Sequence, residues 1–193
     1  MDSYKTINNN AEGYYTDKRS KFYAFAHHVE SAEEVKTLLA GYRKKYYDAR
    51  HICWAYRLGP AGEDFRMNDD GEPSSTAGKP IYGQMLSHEL TDIVVFVVRY
   101  YGGVNLGTSG LIVAYREATI DALNNAEIEE RIVESLIEFS FPYSMINGVM
   151  KVVKELNPRV VDQTFDNTCT IKLAIRESMA EQLQQRLGKL SFE

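Results

Sequence analysis

An α+β protein of two domains is the architecture this sequence predicts, and three observations carry it. Ile93-Val-Val-Phe-Val-Val98 is an unbroken apolar run of strand length, the pattern of a strand buried on both faces. A glycine-rich turn follows it directly and leads into Leu111, Tyr115, Ala118 and Ala122, an apolar stripe at helical spacing. After residue 128 the pattern runs strand, helix, strand, strand, helix, the order of a ferredoxin-like split βαβ unit. The expected division is therefore a βα domain over residues 1–127 and a ferredoxin-like domain over 128–193, joined near residues 125–130.

The first domain opens with an extended, aromatic-rich stretch from Tyr14 to Val29, interrupted by the charged group Asp17-Lys18-Arg19. Ser31-Ala-Glu-Glu34 is a capping box, predicting a helix with Val35, Leu38, Leu39 and Tyr42 on its apolar face and Arg43-Lys44-Lys45 at its cation-favouring end. His51 to Leu58 alternates, with Trp54, Tyr56 and Leu58 on one side, as a half-buried strand does. Pro60 to Pro80 is rich in Gly, Pro, Asp and Ser and reads as a long functional loop that turns helical between Ser75 and Met85. Thr108 or Ser109 is the expected cap of the helix after the glycine turn.

In the second domain, Val133, Ile137, Phe139 and Phe141 share one strand face, and Ser144 is placed to cap a helix bearing Met145, Val149, Val152 and Leu156. A hairpin turning at Asp166-Asn167 brings Cys169, Ile171, Leu173 and Ile175 onto one face. Ser178-Met-Ala-Glu181 is a further capping box, before a helix carrying Leu183 and Leu187. The last strand of a ferredoxin-like unit is expected to be short or absent, because the sequence stops at Glu193.

Composition narrows the function. The chain has 193 residues, 44% hydrophobic and 25% charged, ordinary for a globular protein. No run approaches the roughly 20 apolar residues of a membrane span. The start, MDSYKTINNNAEGYY, has no secretory apolar region, and two distant cysteines make no disulfide framework. A reducing, cytosolic setting is expected. The net charge is −5; residues 1–127 hold 14 basic and 17 acidic side chains, and the remainder 8 and 10. Neither half has the positive excess of a protein that coats DNA, so any nucleic-acid contact rests on a local patch.

Two segments stand out: Asp69-Asp-Gly-Glu-Pro-Ser-Ser-Thr-Ala-Gly-Lys-Pro80 and Arg99-Tyr-Tyr-Gly-Gly-Val-Asn-Leu-Gly-Thr-Ser-Gly-Leu111. The first is not a P-loop, because six residues separate Gly71 from Gly78 and Pro80 follows Lys79. Asp69, Asp70 and Glu72 could hold a magnesium ion or simply form a solvated acidic turn. The second segment sets Gly102, Gly103, Gly107 and Gly110 between a buried strand and a helix N-terminus. Backbone amides there suit an anion, and the glycines also serve a tight turn; the dinucleotide spacing is absent. Arg99, Tyr100 and Tyr101 beside them suit phosphates and bases. His27 and His28 point to opposite strand faces, and His51 with Cys53 supplies only two ligands, short of a zinc site. No nucleophile with a base and orienting group can be identified, and no cofactor is expected.

Together these two segments resemble the signature of the Impact/YigZ family, supported by Lys18-Arg-Ser-Lys-Phe22 and His51-Ile-Cys-Trp-Ala-Tyr56. The resemblance covers residues from about 13 to 125. It implies a first domain like domain IV of elongation factor G and a second like domain V, with no GTPase domain. Eukaryotic relatives regulate translation but carry an additional N-terminal domain, so their partner is not carried over. Ser75 stands where many relatives have glycine. The implied function is a noncatalytic translation-associated factor contacting RNA or the ribosome, with Lys79, Arg99, Tyr100 and Tyr101 as contacts. The competing expectation is an enzyme acting on a phosphorylated small molecule, with a metal on Asp69, Asp70 and Glu72.

Overall fold

A computed structural model describes residues 2–190. The chain is α+β and forms two compact units, Tyr4–Arg131 and Met1–Ser3 with Ile132–Glu193.

The first unit is built on a five-stranded antiparallel sheet. Its strands are β2 (Ala11–Asp17), β3 (Ser20–His28), β4 (His51–Leu58), β5 (Asp64–Asn68) and β6 (Ile93–Tyr100), in the order β2-β3-β6-β4-β5. The Ile93–Val98 run is the central strand, and its two faces divide as period-2 geometry requires. Ile93, Val95 and Val97 face the helices α2 (Gly78–Ser87) and α3 (Gly107–Asn124), while Val94, Phe96 and Val98 face the side covered by α1 (Ala32–Lys45). All six are fully buried, each adding about 1.5–3 kcal/mol of hydrophobic stabilisation. Leu111, Tyr115, Ala118 and Ala122 form the buried stripe of α3, as their spacing predicts. Ser31 caps α1, its hydroxyl accepting the Glu34 N–H at 3.2 Å.

Two local expectations fail for identifiable reasons. Residues 60–80 are not one loop: Asp64–Asn68 is an edge strand pairing with β4, its polar residues tolerated because an edge is solvated on one side. Neither Thr108 nor Ser109 caps α3; the helix starts at Gly107 behind Leu106 and has no side-chain cap. Near the expected junction, β7 (Ile128–Ile132) pairs with β1 (Ser3–Ile7).

The second unit contains β8 (Glu134–Pro142), α4 (Ile146–Leu156), β9 (Arg159–Thr164), β10 (Thr168–Arg176) and α5 (Glu177–Lys189), with sheet order β8-β10-β9. This is the connectivity of a split βαβ unit. Ile137, Phe141, Cys169, Ile171, Leu173 and Ile175 pack against Val149, Val152, Leu183 and Leu187. Ser144 lies within a 3-10 turn before α4 and makes no cap. Ser178 is inside α5 and does not cap it; its N–H and hydroxyl donate to Asp2 at 2.9 and 2.6 Å. The expected final strand would fall on residues 191–193, outside the described residues. No helix among the described residues is long and apolar enough to cross a membrane.

Candidate anion pocket

The antiparallel register decides which side chains meet at one end of the first sheet. Arg99 on β6 lies opposite Phe22 on β3 and His51 on β4, and residues directly opposite share a face. That face is the one covered by α3, so Arg99 and His51 point beneath the start of the helix, with Tyr115 of α3 beside them.

Glu72 closes this group. Arg99 Nη1 donates to its Oε1 at 2.7 Å and its Oε2 at 2.8 Å, Tyr115 donates to Oε2 at 2.6 Å, and His51 Nε2 lies 3.0 Å from Oε1. His51 Nδ1 donates to the Asp70 carbonyl at 2.7 Å, which turns Nε2 toward the carboxylate. The side chains of Glu72 and Arg99 are only 3% and 6% exposed, so this ion pair is shielded from solvent and salt. Burial pushes the Tyr115 hydroxyl well above its ordinary range, reinforced by Cys53 and Glu72, and keeps it a donor. The Cys53 thiol lies 3.1 Å from the Asp69 carbonyl and 3.3 Å from the Tyr115 hydroxyl. Burial raises its pKa, the opposite of what an activated nucleophile requires.

The other two acidic residues organise their own loop. Asp69 accepts the N–H groups of Ser75, Ala77 and Gly78 at 2.9, 3.2 and 2.8 Å, fixing the chain where α2 begins. Asp70 accepts the Ile52 N–H at 2.7 Å and stands 3.8 Å from Arg43. Each of the three carboxylates thus accepts protein donors. Among the described residues no group of three or more His, Cys, Asp or Glu side chains could share a metal ion.

The Arg99–Glu72 pair lines a cavity of about 410 Å³ together with Arg50, His51, Tyr101, Gly107 and Thr108 among others. Because Leu106 offers no side-chain cap, the first N–H groups of α3 have no intrahelical acceptor and carry the positive end of its dipole. Arg99 Nε is buried without a hydrogen-bond partner. The guanidiniums of Arg50 and Arg99 stand 5.3 and 5.7 Å from the centre of the Tyr101 ring. The cavity therefore has Arg99, already paired with Glu72, on its floor, the exposed Arg50 on its rim and the first turn of α3 on its wall.

Of the four glycines, Gly107 lines this cavity and Gly102 does not. A Cβ on Gly102 would come within 2.2 Å of the Arg19 backbone, so the chain turns there only because no side chain intervenes. Gly107 has φ +74°, a left-handed start that delivers the chain into α3. Gly103 and Gly110 line no part of the cavity. Tyr100 lines a neighbouring open basin with Tyr101, its hydroxyl donating to Asp48 at 2.8 Å. Lys79 is exposed on the first turn of α2 and is not among the lining residues. Sequence does not single out Arg50, His51 and Thr108 as anion contacts; the alternation of β4 is the available signal for His51, and Arg50 just before β4 and Thr108 on α3 have none.

Residues 18–123 match the profile of the Impact N-terminal domain. The chain is 31% identical to an IMPACT family member of Haemophilus influenzae over 90% of its length and 85% of that protein. It is 27% identical to the IMPACT family member YigZ of Escherichia coli, over 90% and 86%. A crystal structure of a hypothetical protein superposes with a TM-score of 0.73 at 26% identity, covering 99% of this chain and 94% of the other. The glycine turn and its buried ion pair lie within the matched segment, and the chain belongs to the IMPACT family.

Proposed function

We propose that this protein is a noncatalytic, translation-associated factor whose first domain, residues 1–127, binds RNA through the pocket at the start of α3. The observation carrying the reading is the cavity beside the uncapped N-terminus of α3, with Arg99 anchored by Glu72 on its floor and the exposed Arg50 on its rim. Anchored in this way, Arg99 offers donors without loss of side-chain entropy on binding, and Arg50 supplies the unpaired charge. Tyr101, 42% exposed and shared with the adjoining basin, adds an aromatic face suited to unstacked bases. With net charge −5, the favourable potential is local, which suits capture of one short single-stranded segment better than coating of a duplex.

The test is fluorescence anisotropy with a labelled single-stranded RNA decamer across a range of salt concentrations. Binding is expected to weaken with salt, with a slope of about −0.7 per phosphate neutralised. Arg50→Ala, at an exposed side chain, is expected to lower both affinity and slope. Absence of salt-dependent binding to any single-stranded RNA would end this reading.

A further inference from the structure

The RNA-binding reading leaves open which part of a nucleotide chain the pocket receives. The geometry favours an end over a middle. The cavity, at about 410 Å³, is small, near the lower end of the roughly 300–1,000 Å³ of ligand pockets. Its floor is a guanidinium whose side chain is only 6% exposed, its rim carries the exposed Arg50, and its wall is the first turn of α3. An internal phosphodiester has two non-bridging oxygens and a sugar on either side, so the flanking chain keeps it from the floor. A terminal phosphomonoester has three free oxygens and a single tether, and can meet floor, rim and wall together. Its charge approaches two at neutral pH; because Glu72 lines the cavity and already holds Arg99, that charge is met chiefly by Arg50 and the N-terminus of α3, with Arg99 adding donors.

The second observation lies across Tyr101. The same ring borders an open basin containing Tyr23, Tyr46 and Tyr100 with Arg19, Lys21 and Asp48, the last held by the Tyr100 hydroxyl. Tyr23 and Tyr100 meet edge to face, centroids 6.2 Å apart, and Lys18 and Arg19 form the β2–β3 turn with φ +46° and +68°. Aromatic faces with cations at their border are the surface on which unstacked bases lie.

We propose that pocket and basin are one site for a 5′-phosphorylated nucleotide end. The phosphomonoester occupies the Arg50–Arg99–Thr108 pocket, and the attached base lies in the tyrosine basin on the other side of Tyr101. The chemistry is that of a nucleoside 5′-monophosphate, whether it ends an RNA strand or is free. This inference rests on the proposed function for the strand and stands without it for the free nucleotide.

The deciding experiment compares the full-length protein's affinity for two 3′-labelled RNA decamers of identical sequence, one 5′-phosphorylated and one with a 5′-hydroxyl. Adenosine 5′-monophosphate and adenosine are measured in parallel by thermal shift. A charge-assisted hydrogen bond corresponds to roughly ten-fold or more in affinity, so the phosphorylated strand is expected to bind about ten-fold tighter. Arg50→Ala should remove most of that advantage, and Tyr101→Leu should weaken both strands while keeping it. Equal affinity for the two strands would overturn the inference and leave RNA binding intact. Stabilisation by the monophosphate alone, abolished by Arg50→Ala, with no strand bound, would uphold the phosphate site and remove the RNA reading. Response to neither strand nor nucleotide overturns both.

Discussion

Arg99 and Glu72, 27 positions apart, meet in a two-oxygen contact at 2.7 and 2.8 Å with both side chains nearly excluded from water. The pair couples the edge of the acidic loop to the central strand, and it holds the floor of the pocket in place. Removing one partner leaves the other charge buried and uncompensated. Glu72→Ala and Arg99→Ala are each expected to destabilise folding by about 3–5 kcal/mol. The double variant Glu72→Leu/Arg99→Leu should cost less than the sum of the single leucine variants, the difference being about 0.5–3 kcal/mol. Urea denaturation of the full cycle measures it, and strict additivity would show that the pair is not coupled.

Ser75 has φ +65°, left-handed backbone that favours glycine, at the position where the family resemblance leads one to expect glycine. An L residue held there costs roughly 1–2 kcal/mol, partly offset by the greater unfolded-state entropy of glycine. Its N–H donation to Asp69 at 2.9 Å needs no side chain. Ser75→Gly is therefore expected to leave stability unchanged or raise it by up to about 1 kcal/mol. A clear loss in chemical denaturation would mean that the serine side chain contributes a contact of its own.

His27 is packed between Tyr42 and Asn10, its Nε2 meeting the Tyr42 hydroxyl and its Nδ1 lying 3.1 Å from Asn10 Oδ1. Burial lowers its pKa from the ordinary 6.5, with Glu12 partly opposing the shift. A depressed pKa means that the unfolded chain binds the proton more readily, so stability is retained above about pH 6.5 and lost as pH falls through the folded-state value. Unfolding midpoints between pH 7.5 and 5 should decline, and His27→Gln should flatten that window. A slope unaltered by the substitution would assign the acid sensitivity elsewhere.

The elements that were legible in sequence are those whose pattern is local and apolar. The Ile93–Val98 run, the Leu111–Ala122 stripe and the Cys169–Ile175 alternation each bury the residues their periods select, because burial of apolar side chains dominates the energy of those segments. The edge strand Asp64–Asn68 is not legible because all its residues but Met67 are polar or exposed and it exists only by pairing with β4.

Helix starts divide along the same line. Ser31 caps α1 with an N–H three residues away, a contact readable from spacing. Ser178 has the same spacing to Glu181, yet its N–H and hydroxyl go to Asp2, 176 residues distant, and the capping-box pattern carries no information about so remote a competitor.

By itself, then, the sequence determined the α+β class, the glycine turn between a buried strand and a helix, and, through its long motifs, the family. Tertiary structure alone decided what that turn faces. It set Arg99 beside His51 and Phe22 by strand register, spent Asp69, Asp70 and Glu72 on protein donors, and brought Arg50 and the uncapped start of α3 to one cavity. The reason is physical: a turn's conformation follows from its own residues, whereas a charged pocket is a sum over strands and helices joined only by long-range packing.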